Sequence, residues 1–495
     1  MISEICSGLL GVLSPASIIA IGAGIFIGLM FGAIPGISGI MAISILLPLT
    51  FYVDPLVGIP MLLGIYKASM FGGSITAILL NTPGAPPAVC TAMDGYPMMQ
   101  QGKGGKALNA ALTGSVFGDM FSNTLLVCVA APLSYLTLKI GPVEQCCLIL
   151  LSLTVVGSIS GKSIIKGIIC AAFGILLSCV GVAGSTGAIR MVFDFEPLFS
   201  GIALIPMVIG LLCLPEVIHQ VASKALAVEC SYIDLGNENG KFSFREAKSH
   251  FPLLVRSSLL GSAIGTLPGL GASPAAFMAY SEARRTSKHP ERFGKGAVEG
   301  VLAPEAANNA VTGSAMIPLL TLGIPGDDVT AVLMGAFLIQ GLTPGPNIFF
   351  ESTSIVYGIF GSLFICDILL FVLAKFGFRL WTGFCRLPKH IIFSAVTIFA
   401  FAGAYSINQN IFDMFCLIVF GVLGYFMRKF EFPAGPMIIG FILGPLLESA
   451  FDQTMILSDG SFSIFIQHPW AVVLLLATLG AVISIIRARK RGENS

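Results

Sequence analysis

Apolar stretches long enough to cross a bilayer recur from one end of this 495-residue chain to the other. A hydrocarbon core about 30 Å thick needs roughly 17–25 mostly apolar residues in helical form. Ten segments come close to this: 8–31, 107–131, 145–160, 163–183, 198–214, 354–374, 391–404, 412–427, 434–451 and 470–487. Inside lipid every backbone N–H and C=O must find its partner within the protein, so each segment reads as an α-helix. Charge agrees, since Asp, Glu, Lys and Arg make up only 11% of the residues, less than half the roughly 25% of soluble domains. The predicted fold class is an all-α polytopic membrane protein, with the lipid bilayer as its surroundings. A net charge of +1 leaves no basic face for phosphates and excludes nucleic acid as a partner.

Three further regions, 32–93, 251–283 and 297–340, are apolar but too interrupted by Gly and Pro for simple spans. Such interruptions are tolerated at membrane depth where neighbours or a polar cavity satisfy the freed backbone groups. These regions therefore read as broken helices or re-entrant hairpins. The polar stretch 215–250 separates two membrane halves, 1–214 and 251–451, and 452–495 adds a C-terminal helix with a basic tail. The halves share three landmarks in order. Gly32-Ala33-Ile34-Pro35-Gly36-Ile37 answers Gly265-Thr266-Leu267-Pro268-Gly269-Leu270, Gly73-Ser74 answers Gly313-Ser314, and Pro83-Gly84 answers Pro325-Gly326. Their offsets are 233, 240 and 242 residues.

Lys and Arg in short loops mark the cytoplasmic side. Lys103, Lys106, Lys162, Lys166, the 215–250 linker, Arg428-Lys429 and the tail at Arg487–Arg491 fall on one side by this rule. Only Lys139 and Arg190 stand opposite. The N-terminus, which lacks a basic signal-peptide start, is then external and its first apolar segment is a retained span. Each half crosses an odd number of times, so the repeats are inverted, as in many secondary transporters.

Such carriers bind substrate where helices break and half-helix N-termini face an anion. The duplicated breaks supply Pro35, Gly36 and Ser38 with Pro268, Gly269 and Ser273, and Asn81, Thr82, Pro83 and Gly84 with Pro325 and Gly326. Kinks relieved by neighbouring helices are the plainer account of any one Pro-Gly. Asn308 and Asn309, in the run Pro304–Asn309, add amides that bind a carboxylate or a hard cation, or else clasp helices together. The counterpart of that run is Tyr66-Lys67-Ala68-Ser69, and Lys67 is the main fixed cation at depth. Ser74, Ser314, Asp119 and Asp327 are the candidates for cation coupling. Asp119 equally suits a structural hydrogen bond, and Asp327 suits a helix cap slightly better than coupling.

No enzyme is legible. The five His are scattered, the twelve Cys form no CxxC pair, and no transition-metal spacing occurs. Gly157-Ser158-Ile159-Ser160-Gly161-Lys162-Ser163 is one residue short of a P-loop and reads as a cytoplasmic turn.

The strings Gly32–Gly36, Gly72–Pro86, Asp94-Gly95-Tyr96-Pro97-Met98, Gly265–Gly271, Ala303–Ala310 and Leu322–Gly326 together resemble the large membrane subunit of the tripartite tricarboxylate transporters, over about residues 20–450. The resemblance implies cation-coupled import of a di- or tricarboxylate across the bacterial inner membrane, without ATP or another cofactor. It also implies two partners, a small four-helix membrane subunit and a periplasmic solute-binding protein. Asp327-Asp328, Pro86-Pro87 and Asp119 depart from the family pattern, which leaves the substrate and coupling ion open. A stand-alone ion-coupled organic-anion carrier, or a channel, is the other reading. Carrying a trianion into a cell against 100 mV costs roughly 7 kcal/mol, so coupled cations must cancel its charge. Carboxamides, hydroxyls and carbonyls favour Na⁺; Asp119 or Asp327 would instead carry H⁺.

Overall fold

The computed structural model describes residues 2–34, 37–159, 163–184, 186–222, 242–384 and 389–492. It is helical throughout, apart from a two-residue antiparallel ladder of β1 (Gly181–Val182) and β2 (Ile189–Arg190). The first half holds α1 (Ile2–Val12), α2 (Pro15–Ala33), α3 (Gly39–Thr50), α4 (Pro55–Leu80), α5 (Ala88–Gln100), α6 (Gly104–Thr137), α7 (Pro142–Ile159), α8 (Ile164–Ser178), α9 (Leu204–Leu212) and α10 (Leu214–Ala222). The second begins with α11 (Phe244–Ser249), α12 (Phe251–Gly265), α13 (Ala272–Thr286), α14 (Glu299–Ser314), α15 (Met316–Leu322), α16 (Asp328–Ile339) and α17 (Ile348–Glu351). It continues through α18 (Thr353–Phe384), α19 (Lys389–Asn408), α20 (Ile411–Lys429), α21 (Ala434–Leu457), α22 (Ile464–Gln467) and α23 (Pro469–Gly492). Seven of these are long and apolar enough to cross a membrane, and the chain is an all-α polytopic membrane protein.

Local chemistry places the helix ends. Ser14 accepts from Ser17 N–H with Pro15 at the first helical position of α2, and Asp54 accepts from Leu56 N–H ahead of Pro55 in α4, the usual N-terminal arrangement. Asn81 ends α4 in the left-handed conformation at φ 52°, which Asn tolerates better than most residues.

The two halves repeat one order: helix, break, helix, turn, helix, break, helix, long helix. Thus α2, α3, α4, α5 and α6 answer α12, α13, α14 with α15, α16 and α18. The paired landmarks fall at matching places, at the ends of α2 and α12, in α4 and at the end of α14, and in the second break of each half. Packing between halves is reciprocal. α6 lies on α12 and α14 while its counterpart α18 lies on α2 and α4; likewise α8 lies on α21 and α20 on α9.

At the centre stands α4, buried along almost its whole length. Gly24, Gly28 and Gly32 of α2 face it at four-residue spacing, and a Cβ at any of them would stand within 2.6 Å of a backbone oxygen of Met61, Ile65 or Ser69. A stripe of small residues lets two backbones meet this closely, which is how helices gain contact without a hydrophobic drive in lipid.

Some boundaries differ from the sequence reading. Segment 198–214 is not one helix: a 3-10 turn at Glu196–Ser200 and Gly201 at φ 77° precede α9, which α10 continues toward the linker. The 163–183 helix stops at Ser178, and its last residues form β1. Helix α21 runs past position 451 to Leu457. Residues 160–162 of the near-P-loop stretch and 223–241 of the linker lie outside the described residues.

Candidate functional site

A cavity of about 440 Å³ lies where the breaks converge. Pro86 and Pro87 border it from the second break of the first half, Gly269–Gly271 from the first break of the second half, and Asp327 and Asp328 from the last break. Ile40 of α3 and Met70 of α4 complete the inner wall, and Pro433 closes it from the outer helices. The two breaks of the second half touch directly, Gly269 N–H donating to Gly326 O at 2.7 Å.

Helix α13 enters this space without a side-chain cap. Its N-cap is Gly271 at φ 68°, and Pro274 in the first turn carries no N–H. Among the described residues no acceptor meets the N–H groups of Ala272 or Ser273. Uncapped first-turn amides at the positive end of a helix dipole form an anion site.

The predicted residues divide between this cavity and elsewhere. Gly269, Ser273 and Asp327 line it, with Pro268 beside Gly269 and Gly326 bonded to it. Pro325 is buried behind them. Pro35 and Gly36 lie outside the described residues, and Ser38 caps α3 through Met41 N–H. Asn81 is an exposed helix terminator, and Thr82 bonds locally to Leu80 O. Gly84 packs backward, its N–H donating to Gly73 O at 3.1 Å. A Cβ on Gly84 would stand 2.1 Å from Gly32 O. In the first half the landmark glycines thus serve close backbone approach.

Asn308 and Asn309 belong to a second polar centre, buried between α4, α6, α14 and α18. Lys67, wholly buried, reaches Asp367 at 2.6 Å and Asp119 at 3.2 Å. Asn123 accepts from Lys67 at 3.3 Å and donates to Asp367 at 2.7 Å. Thr312 hydrogen-bonds Asp119. Toward the other end of the same layer, Glu305 accepts from Ser74 at 2.5 Å, from Ser115 at 2.8 Å and from Thr91. Asn309 joins the two groups, its amide at 3.0 Å from Glu305 O and its backbone O accepting from Thr312. Three side-chain oxygens here have no partner among the described residues: Asp119 Oδ2, Asn308 Oδ1 and Asn309 Oδ1.

Of the four cation-coupling candidates, therefore, Ser74 is bound to Glu305 and Ser314 to Ala310 O of its own helix. Asp327 is a cap, with Thr330 completing the capping box and Tyr66 donating to its Oδ2 at 2.6 Å. Only Asp119 keeps a free oxygen. Lys67 is held by two carboxylates and does not face the cavity.

Asp367 escaped the sequence reading, and Tyr66 and Asp328 entered it only within the strings Tyr66–Ser69 and Asp327-Asp328. A signal for Asp367 was present: Gly114-Ser115-Val116-Phe117 recurs as Gly361-Ser362-Leu363-Phe364, with Asp119 and Asp367 just beyond. Asp94, noted only as part of a string, is buried on α5 and accepts from Gly296 N–H, Ala297 N–H and Tyr280, tying the halves together.

The family described as "Tripartite tricarboxylate transporter TctA family" matches residues 18–439. Among curated relatives, an uncharacterized 52.8 kDa protein in the TAR-I ttuC' 3'region of Agrobacterium vitis is 37% identical over 483 residues, covering 98% of this chain and 96% of its own length. An uncharacterized protein in the TAR-II ttuC' 3'region of the same organism is 44% identical over 223 residues, covering 45% of this chain and 92% of its own. No solved structure matches.

Proposed function

This chain belongs to the tripartite tricarboxylate transporter TctA family as its large membrane subunit, and from that premise we propose that it carries a di- or tricarboxylate into the cell, driven by coupled cations. Its partners are a small four-helix membrane subunit and a periplasmic solute-binding protein. The membrane is the bacterial inner membrane, with the N-terminus periplasmic and the C-terminus cytoplasmic. The observation that carries the reading is the cavity at the converging breaks, with the uncapped amides of α13 opening onto it. Amides fixed by a helix break bind a carboxylate without an Arg or Lys, and release it more readily for the same reason.

Charge in the cavity then sets selectivity. The Asp327 carboxylate is engaged by Thr330 and Tyr66, whereas Asp328 is exposed to the cavity. A unit charge about 10 Å from a substrate carboxylate contributes roughly 1–2 kcal/mol at an effective dielectric near 20. Asp328→Asn should therefore strengthen trianion binding relative to dianion binding about five- to thirtyfold. Competition of citrate against a C4 dicarboxylate measures the ratio, and an unchanged ratio would remove Asp328 from the site.

The coupled cation is Na⁺ or H⁺. Proteoliposomes holding the assembled three-part system, with Na⁺, pH and potential gradients imposed one at a time, test the whole reading. Concentrative uptake of labelled citrate or C4 dicarboxylate is expected only with a cation gradient. Full uptake with every gradient collapsed would reject cation coupling.

A further inference from the structure

The two buried aspartates around Lys67 each follow a Gly-Ser-x-Phe string, Asp119 two residues after its Phe and Asp367 three, and their hydrogen bonding differs. Asp367 is complete as a carboxylate: Oδ1 takes the Lys67 ammonium at 2.6 Å, and Oδ2 takes the Asn123 amide at 2.7 Å. Asp119 is not. Its Oδ1 meets Thr312 Oγ1 and stands 3.2 Å from Lys67, while Oδ2 is buried with no partner among the described residues.

A count of protons sharpens the difference. Thr312 has one hydroxyl proton, yet its oxygen faces two acceptors, Asp119 Oδ1 and the Asn309 carbonyl at 2.8 Å. If Asp119 is ionised, one of these contacts sets lone pair against lone pair, and a charged oxygen is left bare. Both are costly in a buried site. A proton on Asp119 Oδ1 resolves the arrangement. The carboxyl donates to Thr312 Oγ1, Thr312 donates to Asn309 O, and Lys67⁺ with Asp367⁻ remains a neutral pair. Glu305 differs in having no bare oxygen: Ser74 and Thr91 each bring a hydroxyl proton to its Oε1, and the Asn309 amide stands 3.5 Å from the Oε2 that shares the Ser115 hydroxyl with Ala111 O.

We propose that Asp119 is a proton-binding site, with Asp367 the permanent counter-ion of Lys67. Loading adds one proton to the Asp119 carboxylate and release removes it; no other covalent bond changes, and the Thr312 hydroxyl proton turns between Asn309 O and Asp119 Oδ1. The charged and titratable groups around it are Lys67 and Tyr66 on α4, Asp367 and Cys366 on α18, and Glu305 on α14. Lys67 already holds the position that an inorganic cation would take between the two carboxylates, so Na⁺ at Asp119 would sit against an ammonium. Combined with the reading of this chain as a cation-coupled carrier, on which this last step rests, the site makes H⁺ a coupled ion. It also spans the halves, because the loaded carboxyl joins α6 to α14 and the ion pair joins α4 to α18.

Infrared difference spectroscopy of the full chain in lipid nanodiscs, titrated with acid and base in the absence of substrate, tests this without transport. Near neutral pH the wild type should show the C=O absorption of a buried protonated carboxyl. That absorption should vanish in Asp119→Asn and persist in Glu305→Gln. It should also vanish in Asp367→Asn, because Lys67 then turns to Asp119 and ionises it. Thr312→Val, a conservative change that removes the acceptor, should shift the absorption to higher frequency. Persistence of the band in Asp119→Asn, no shift in Thr312→Val, or loss of the band on adding Na⁺ at constant pH would overturn the proposal. Failure of ion-driven uptake by wild-type proteoliposomes would instead sink the transport reading and leave this band unaffected.

Discussion

Lys67→Met is expected to cost about 3–5 kcal/mol of folding stability, the penalty for stranding a buried charge by removing its partner. Lys67 and Asp367 are both fully buried, 300 residues apart in sequence and 2.6 Å apart in space. The loss should come almost wholly from Asp367, which has a second donor in Asn123 but no other cation within reach among the described residues. Lys67→Met with Asp367→Asn should therefore recover to within about 1 kcal/mol of the wild type, because an apolar replacement of a whole buried pair is often neutral. Adding Asp119→Asn to Lys67→Met should recover much less. Denaturant unfolding in detergent micelles measures each variant. Equal rescue by the two Asn replacements would mean that both aspartates are ionised, against the assignment of the proton to Asp119.

Gly269→Ala is expected to cut uptake more than tenfold while the protein still inserts and folds. Gly269 has φ 87°, and a Cβ there would stand 2.7 Å from Val156 Cα on α7. A left-handed alanine costs about 1–2 kcal/mol, and overpacking against backbone adds about 1–3 kcal/mol. The strain falls on the contact between the break and an outer helix, so it disfavours this conformation rather than the helices themselves. Gly271→Ala is the control. It shares the positive φ, at 68°, but its Cβ would meet only Asp327 Cβ at an ordinary 3.7 Å, so a smaller loss is expected. Equal losses in the two variants would assign the effect to backbone strain alone. Uptake by proteoliposomes, normalised to inserted protein, separates the cases.

These experiments also bear on the amides singled out from sequence. Asn81 terminates α4 and is exposed, so its replacement is a test of helix ending rather than of binding. Asn308 and Asn309 lie in the charged layer beside Glu305 and Thr312, away from the cavity that takes the carboxylate in our reading. Duplicated breaks and buried amides, grouped as one site from sequence, occupy two places in the fold.

What the chain alone determined is whatever depends on neighbours along it. Apolar length and scarce charge require membrane helices, because lipid offers the backbone no partner. Proline lacks a donor and glycine admits positive φ, so the breaks at 266–271 and 323–327 were legible from local chemistry. The order of landmarks exposed the repeat for the same reason, since it is written in sequence position. Tertiary structure alone decided which face each polar side chain presents and to what. Lys67 was legible as a fixed cation at depth, yet only the packing of α18 against α4 brings it Asp367. Asp327 and Asp328 are adjacent, yet one is spent on a cap that also binds Tyr66 while the other faces the cavity. Neither outcome follows from spacing, because a helix of given sequence can turn any face inward. The face that wins is set by helices hundreds of residues away, whose small residues, carboxylates and carbonyls must all be satisfied at once.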